Sequence, residues 1–558
     1  MEPYQRNVEK ALVELIDNQV ISRIWAHDYT VWKSEPTEIV NRLGWLHSPE
    51  VMGESIQRIN RFVAGVRESG YTNALLLGMG GSSLAPEVFR KTFGVREGFL
   101  DLAVLDSTDP GSILAHAERL TPSRTLFIVS TKSGTTVETL SLFKFFYNWV
   151  WESVGEERTG EHFIAITDSG TPLANLAERY CFRDCFLNDP NIGGRYSALS
   201  NFGLVPAALI GMDLHTLLDR AMIMANNCKG CNCPVQGNNN GGRLGVVLGD
   251  LAKEGRDKVT LISSPQIESF GDWVEQLIAE STGKEGKGIL PVVGELVGSP
   301  ASYGEDRLFV YLRLEGDDAY DKEVVKLERA GHPIVSLLLH DRYDLGSQFF
   351  LWEMAVAVAG HFLGINPFEQ PNVEAAKALA RQVTAEYREK GSLPGETPAM
   401  TSDDITVYGD IAGNTPGEAL ISFLGQAHPG AYIALQAYIQ PMAEAHTALQ
   451  TFRMKLRDRY RLATTVGYGP RFLHSTGQLH KGDAGKGLFI QLTANDQRDV
   501  DIPDEPVSSS ASMTFGVLKA AQAIGDRQAL IDRGRKVIRF HFGRDFIRGI
   551  RQLTEILA

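Results

Sequence analysis

The chain has 558 residues, too many for a single hydrophobic core, so two to four domains are expected. It is 43% hydrophobic and 22% charged, the composition of a soluble globular protein. A net charge of −13 argues against nucleic acid or an anionic membrane as the main partner. A small anionic ligand stays possible, because a local turn can be positive within an acidic protein.

The N-terminus, MEPYQRNVEK, is polar and lacks the apolar core of a signal peptide. The most apolar run, Phe349 to Ile365, contains Glu353 and His361, so no membrane span is expected. The cysteines number five. Cys228, Cys231 and Cys233 form C-x2-C-x-C, but no fourth ligand is evident nearby. The Asn- and Gly-rich flanks read as a surface loop between domains, with no metal. A cytoplasmic location is expected.

Taken in order, residues 1–45 read as a helical lead-in, with an apolar stripe at Leu12, Leu15, Ile16, Val20 and Ile24. Strands and helices then alternate. Strands are expected at Ala74–Leu77, Leu102–Leu105, Leu126–Val129, Phe163–Ile166 and Cys185–Leu187. This rhythm predicts a parallel, doubly wound sheet over residues 46–236. A second set follows in 237–390, at Leu244–Leu248, Val259–Ile262, Ile289–Val293, Leu308–Leu312 and Ile334–Leu339. The loop Gly237–Gly242 reads as the linker between them. Residues 391–558 read as a C-terminal α/β extension, with strands near Tyr432–Leu435, Leu462–Thr465, Leu488–Leu492 and Val537–Phe540.

The stretch TLFIVSTKSGTTVE, Thr125 to Glu138, carries the clearest chemistry. A buried strand breaks into Thr131, Lys132, Ser133 and Thr136, and an amphipathic helix follows. Hydroxyls, an ammonium and a helix N-terminus together suit a phosphate. The first strand runs into a similar turn, Gly78 to Ser83, with Gly81 and Ser82 in it. A dinucleotide site is disfavoured there, since Ser83 stands where the third glycine of G-x-G-x-x-G belongs.

Three further positions stand out. Arg195 sits in the Gly-rich run NIGGRYS, where a fixed guanidinium could stabilise an oxyanion. The segment Ile267–Ser281 reads as a helix with an apolar face, and Glu280, seven residues after Trp273, points the same way. An acid on an inward stripe is unusual and suits a general base. Gln276 lies one turn earlier and could hold a substrate hydroxyl. Lys377, in NPFEQPNVEAAK, borders the apolar side of another helix and could reach a cleft or snorkel to solvent.

Together, GMGGSSL, STKSGTTVET, GGRYS, AESTGK and NPFEQPNVEAAK resemble the glucose-6-phosphate isomerase family, in the family's order from about Gly78 to Lys377. The C-terminal run GYGPRFLHSTGQLHKGDAGKGLFIQLT resembles a longer subgroup that includes the isomerase half of transaldolase fusions. The resemblance implies two sugar-isomerase domains, each with a five-stranded parallel sheet flanked by helices. It implies interconversion of glucose 6-phosphate and fructose 6-phosphate through a cis-enediol, without metal or organic cofactor, in a homodimer. It assigns the phosphate to Ser82, Thr131, Lys132, Ser133 and Thr136, the base to Glu280, enediolate stabilisation to Arg195, a sugar contact to Gln276 and ring opening to Lys377. The family's ring-opening histidine, expected shortly after AESTGK, is missing, since no histidine lies between Glu280 and His332. His480, in a Gly-flanked turn beside Lys481, is the expected substitute.

Other readings are a sugar-phosphate sensor without catalysis and an isomerase that also accepts mannose 6-phosphate. A sensor would keep the phosphate turn but need no inward base. The pairing of Glu280 with Arg195 therefore favours the enzyme.

Overall fold

The computed structural model describes residues 4–229, 239–402 and 404–557. Three sheets organise them. The first has five parallel strands, β1 (Asn73–Gly78), β2 (Asp101–Leu105), β3 (Thr125–Ser130), β4 (Phe163–Asp168) and β5 (Asp184–Asn188), in the order β2-β1-β3-β4-β5. The continuous apolar runs of these strands fit the observed burial, since helices cover both faces.

The second sheet has four parallel strands, β6 (Lys258–Ser263), β7 (Leu290–Val292), β8 (Arg307–Leu314) and β9 (Ile334–Leu339), in the order β7-β6-β8-β9. The expected five is corrected to four. Leu244–Leu248 is part of the helix Asn240–Lys253, capped by Asn239, whose Oδ1 accepts from the Gly242 N–H at 2.7 Å. Gly241, Gly245 and Gly249, four residues apart, line the face packed on the helix Leu345–Leu363. That spacing is helical, and it outweighs the strand-like look of a short apolar run.

The third sheet is mixed. It contains β10 (Met400–Ser402), β11 (Ile405–Tyr408), β12 (Tyr432–Tyr438), β13 (Ala463–Tyr468) and β14 (Gly487–Ala494). A small hairpin, β15 (Asp501–Ile502) with β16 (Met513–Thr514), precedes its last member, β17 (Lys536–Phe542). The order is β10-β11-β17-β14-β12-β13, with antiparallel pairing only from β10 to β11 and from β11 to β17. The strands β10 and β11 precede Tyr432–Leu435, the first strand expected in the extension.

The first two sheets share one core, joined by the helix Leu345–Leu363, which is buried along almost its whole length. This is the apolar run that Glu353 and His361 interrupt. The third sheet has its own core and docks on the second through Ala279, Leu290 and Val292 against Tyr432, Ala434 and Leu479. Among the described residues no helix is long and apolar enough to cross a membrane, and no cluster of three metal-ligating side chains occurs. Cys228 is buried, while Cys231 and Cys233 lie outside the described residues.

A Cβ at Gly245 would lie 2.5 Å from the Ala355 carbonyl oxygen. Alanine gains about 1 kcal/mol in helix propensity, but overpacking costs about 1–3 kcal/mol. We expect Gly245→Ala to lower stability in urea unfolding, and a stabilised variant would contradict this packing.

Candidate active site

The order β2-β1-β3-β4-β5 reverses direction between β1 and β3, and ligands of such sheets bind outside the carboxyl ends of strands at that point. Both hydroxyl-rich turns fall there. Gly78 pairs with Ser130 in the β1–β3 ladder, so the turns leave the sheet side by side. The Ser130 hydroxyl donates to the Ser82 carbonyl at 3.1 Å and ties them together. After β3, the hydroxyls of Thr131 and Thr136 lie 2.8 Å apart, and those of Ser133 and Thr135 2.9 Å apart. Thr136 is the N-cap residue of the helix Val137–Val154, yet its side chain makes no capping hydrogen bond. The first N–H groups of that helix are therefore available to an anion.

Lys132 does not point into this turn. Its ammonium pairs with Asp168 at the end of β4 and donates to the Pro190 carbonyl at 3.0 Å. Burial pushes the Asp168 carboxyl above the usual range despite this partner.

Arg195 reaches the site because its turn is clamped against Gly80–Ser82. A Cβ at Gly81 would fall 2.0 Å from the Gly194 carbonyl oxygen, so only glycine allows the approach. The guanidinium is 2% exposed. It donates to the Ser281 hydroxyl at 2.7 Å, to Gln370 Oε1 at 2.8 Å, and to the carbonyls of Pro367 at 2.8 Å and Glu369 at 3.1 Å. These bonds fix its plane. One nitrogen then lies 3.6 Å from Glu280 Oε1.

Glu280 and Gln276 stand one turn apart on the helix Phe270–Thr282. Gln276 Nε2 donates both to Glu280 Oε2 at 3.0 Å and to the His474 carbonyl at 2.8 Å. The helix thus links the carboxylate to a segment of the C-terminal unit.

That segment supplies a histidine, but not the expected one. His480 does not reach the site. It lies in the short helix Gly477–Gly482, buried among Tyr432, Phe472 and Phe489, with only a 3.4 Å contact to Gln436. Burial pushes its imidazole well below the usual histidine range. His474, six residues earlier, faces the hydroxyl-rich turn after β3 instead. Its Nε2 lies 3.0 Å from Oε1 of Glu138, in the first turn of the helix after Thr136. Gln522, on the helix Phe515–Asp532, donates to the same oxygen at 2.7 Å and accepts from the Thr108 hydroxyl at 2.9 Å. Burial pushes the Glu138 carboxyl up, but the charge and hydrogen bond of His474 outweigh it and hold the group below its usual range.

Lys377 lies on the helix Val373–Lys390, which packs on the helix carrying Gln522. Its ammonium pairs with Glu374 at 3.0 Å and is partly exposed, close enough to Glu138 to stabilise the carboxylate. Glu138, His474, Gln370 and Gln522 were all missed by sequence reasoning. Glu138 carried a signal, being an acid directly after the hydroxyl-rich turn at the start of an apolar helix.

The sequence profile described as phosphoglucose isomerase matches residues 50–287. That span holds both turns, Arg195, Gln276 and Glu280. Over that span the chain is similar to the phosphoglucose isomerase family. The glucose-6-phosphate isomerase of Carboxydothermus hydrogenoformans is 27% identical over 60% of this chain and 83% of that protein. That of Listeria monocytogenes is 30% identical over 45% of this chain and 64% of that protein. Among solved structures, a hypothetical protein from Thermus thermophilus superposes with a TM-score of 0.59 at 24% identity, covering 68% of this chain and 97% of that one. A glucose-6-phosphate isomerase from Chlamydia trachomatis gives 0.58 at 18% identity, covering 68% and 86%. These structures share the fold. The phosphoglucose isomerase match ends before β7, so His474 and Gln522 come from outside the family segment.

Because Glu138 is held below its unfolded value of 4.5, its ionised form stabilises the fold above that pH, and the contribution is lost as pH falls through the lower folded value. We expect Glu138→Gln to lower stability at neutrality, with the gap to wild type in urea unfolding narrowing below about pH 4.5. A gap independent of pH would contradict the His474–Glu138 pairing.

Proposed function

We propose that the chain is a glucose-6-phosphate isomerase, converting glucose 6-phosphate and fructose 6-phosphate reversibly with Glu280 as base. The observation that carries this reading is the Glu280 carboxylate, 3.6 Å from a fixed Arg195 guanidinium and beside two hydroxyl-rich turns at one switch point. A sensor would need the turns but not the inward acid.

In this reading the phosphate lies on Gly81, Ser82, Thr131, Ser133 and Thr136, against the N-terminus of the helix Val137–Val154. Lys132 acts on it from a distance, through its charge, while paired with Asp168. Glu280 takes the C2 proton of the open-chain sugar and returns it to C1. Arg195 stabilises the enediolate between these steps, and its N–H donors are held in place beforehand, which is what makes such stabilisation effective. Gln276 holds Glu280 and contacts the sugar. His474, oriented by Glu138, exchanges protons with the ring oxygen and the C1 hydroxyl during ring opening, with Lys377 assisting. Gln522 is a positioning residue behind Glu138.

We read residues 46–236 and 237–390 as two sugar-isomerase domains and 391–558 as an extension that delivers His474. The enzyme is read as a cytoplasmic homodimer working without metal or organic cofactor, as the family resemblance implies, with no nucleic-acid or membrane partner.

Glu280→Gln should lower kcat for fructose 6-phosphate by about 10²–10⁴-fold, the usual worth of a general base. His474→Ala should lower turnover of cyclic glucose 6-phosphate, while His480→Phe leaves it within about twofold, since His480 lies in an aromatic box. A coupled assay reads all three. Full activity in Glu280→Gln would move the base elsewhere.

A further inference from the structure

A cavity of about 490 Å³ lies beside the candidate active site, at the carboxyl ends of β6, β7 and β13. Its volume is that of a small-metabolite site. One wall is the helix Ala443–Tyr460, which presents His446, Gln450 and Arg453 at spacings of four and three residues, a single helical face. The helix Phe270–Thr282 forms the opposite wall with Glu275, and Tyr468 closes a third side.

Arg453 is the unusual member. It is 1% exposed. Its guanidinium donates to the carbonyls of Thr464 at 2.7 Å and Val293 at 2.8 Å, and its remaining nitrogen has no partner. Among the described residues no carboxylate pairs with it. Glu295, the acid that attracts it most, lies against Arg307 at 3.5 Å and Arg457 at 3.6 Å instead. A buried cation without a counterion is costly and is normally paired or ligated.

Two more polar atoms lack partners here, Gln450 Oε1 and the Tyr468 hydroxyl, both on residues of the same lining. Burial pushes the Glu275 carboxyl up to about 8, so at neutral pH it is mostly protonated and adds a donor, not a repelling charge. The lining also holds Lys91, Glu268 and an Asp272–Arg471 pair at 3.4 Å; beside these it offers the Arg453 cation, a neutral acid, a hydroxyl and an amide oxygen around one volume.

We propose that this cavity is a second ligand site, built for a compact hydroxylated anion whose oxyanion group sits on Arg453 and whose hydroxyls meet Gln450 and Tyr468. The oxyanion is a carboxylate or a phosphate. The site is separate from the sugar-phosphate turns. It shares one wall with the active site, because the loop after β13 lines the cavity with Ser475 and carries His474 on its other side.

The test is calorimetric titration of the full chain with two probes, sn-glycerol 3-phosphate and D-glycerate, which differ in their oxyanion. The wild type should bind at least one of them saturably, and the probe that binds identifies the group. Arg453→Gln should weaken that binding at least tenfold and Tyr468→Phe at least threefold, while Ser133→Ala, in the phosphate turn, leaves it unchanged. Tyr468→Phe removes only a hydroxyl without a partner, and Gln450→Leu removes the amide whose Oε1 has none, so they keep the test valid even if Arg453→Gln fails to fold. Absence of saturable binding by both probes would overturn the proposal. So would binding that is unchanged in Tyr468→Phe and Gln450→Leu, or that is lost in Ser133→Ala.

Discussion

Glu138 is a single carboxylate on which two separate parts of the chain converge. Its Oε1 meets His474, on the loop after β13, and accepts from Gln522, on the helix Phe515–Asp532. The residue itself belongs to the first turn after the phosphate-type turn of β3. A buried carboxylate without partners would be unfavourable by several kcal/mol, so the docked position of the C-terminal unit that supplies His474 and Gln522 is favoured. That position also brings the His474 carbonyl to Gln276 and hence to Glu280. Without this convergence Glu280, Arg195 and the two hydroxyl-rich turns would stand together without His474.

The seam between the units is polar elsewhere too. Lys519 bridges Asp109 of the first unit and Asp496 of the third. Arg453 and Arg457 reach across to carbonyls of the segment after β7. Apolar contacts join the units as well: Ile502, Met513, Phe515 and Leu518 of the extension share one buried cluster with Leu75, Phe127 and Phe146 of the first unit. Hydrogen bonds and ion pairs are directional, whereas apolar contacts slide. The apolar clusters hold the units together, and the polar contacts fix how they are oriented.

Much of this was legible in the sequence where the physics is local. Continuous apolar runs marked the parallel strands, and the hydroxyl-rich break after β3 marked where that strand ends at the switch point. Glu280 was legible because helical periodicity placed an acid on an apolar stripe. The misreadings lie where tertiary contacts decide. Leu244–Leu248 looks like a buried strand until the glycines at four-residue spacing are seen against a neighbouring helix. His480 and His474 are equally plausible in isolation, and only the packing around Phe489 and the position of Glu138 separate them. Lys132 sits in the hydroxyl-rich turn by sequence, yet Asp168, distant in the chain, takes its ammonium. Gln522 had no local signal, because its partner lies 384 positions away.

The central claim is that Glu280 moves the proton and that His474 serves a different step. The direct measurement is exchange of the C1 proton of fructose 6-phosphate with solvent deuterium, followed by proton NMR. The account predicts that exchange vanishes in Glu280→Gln but continues, slowed, in His474→Gln, because the open-chain fraction of the ketose reaches Glu280 unaided. Exchange persisting at the wild-type rate in Glu280→Gln would contradict it.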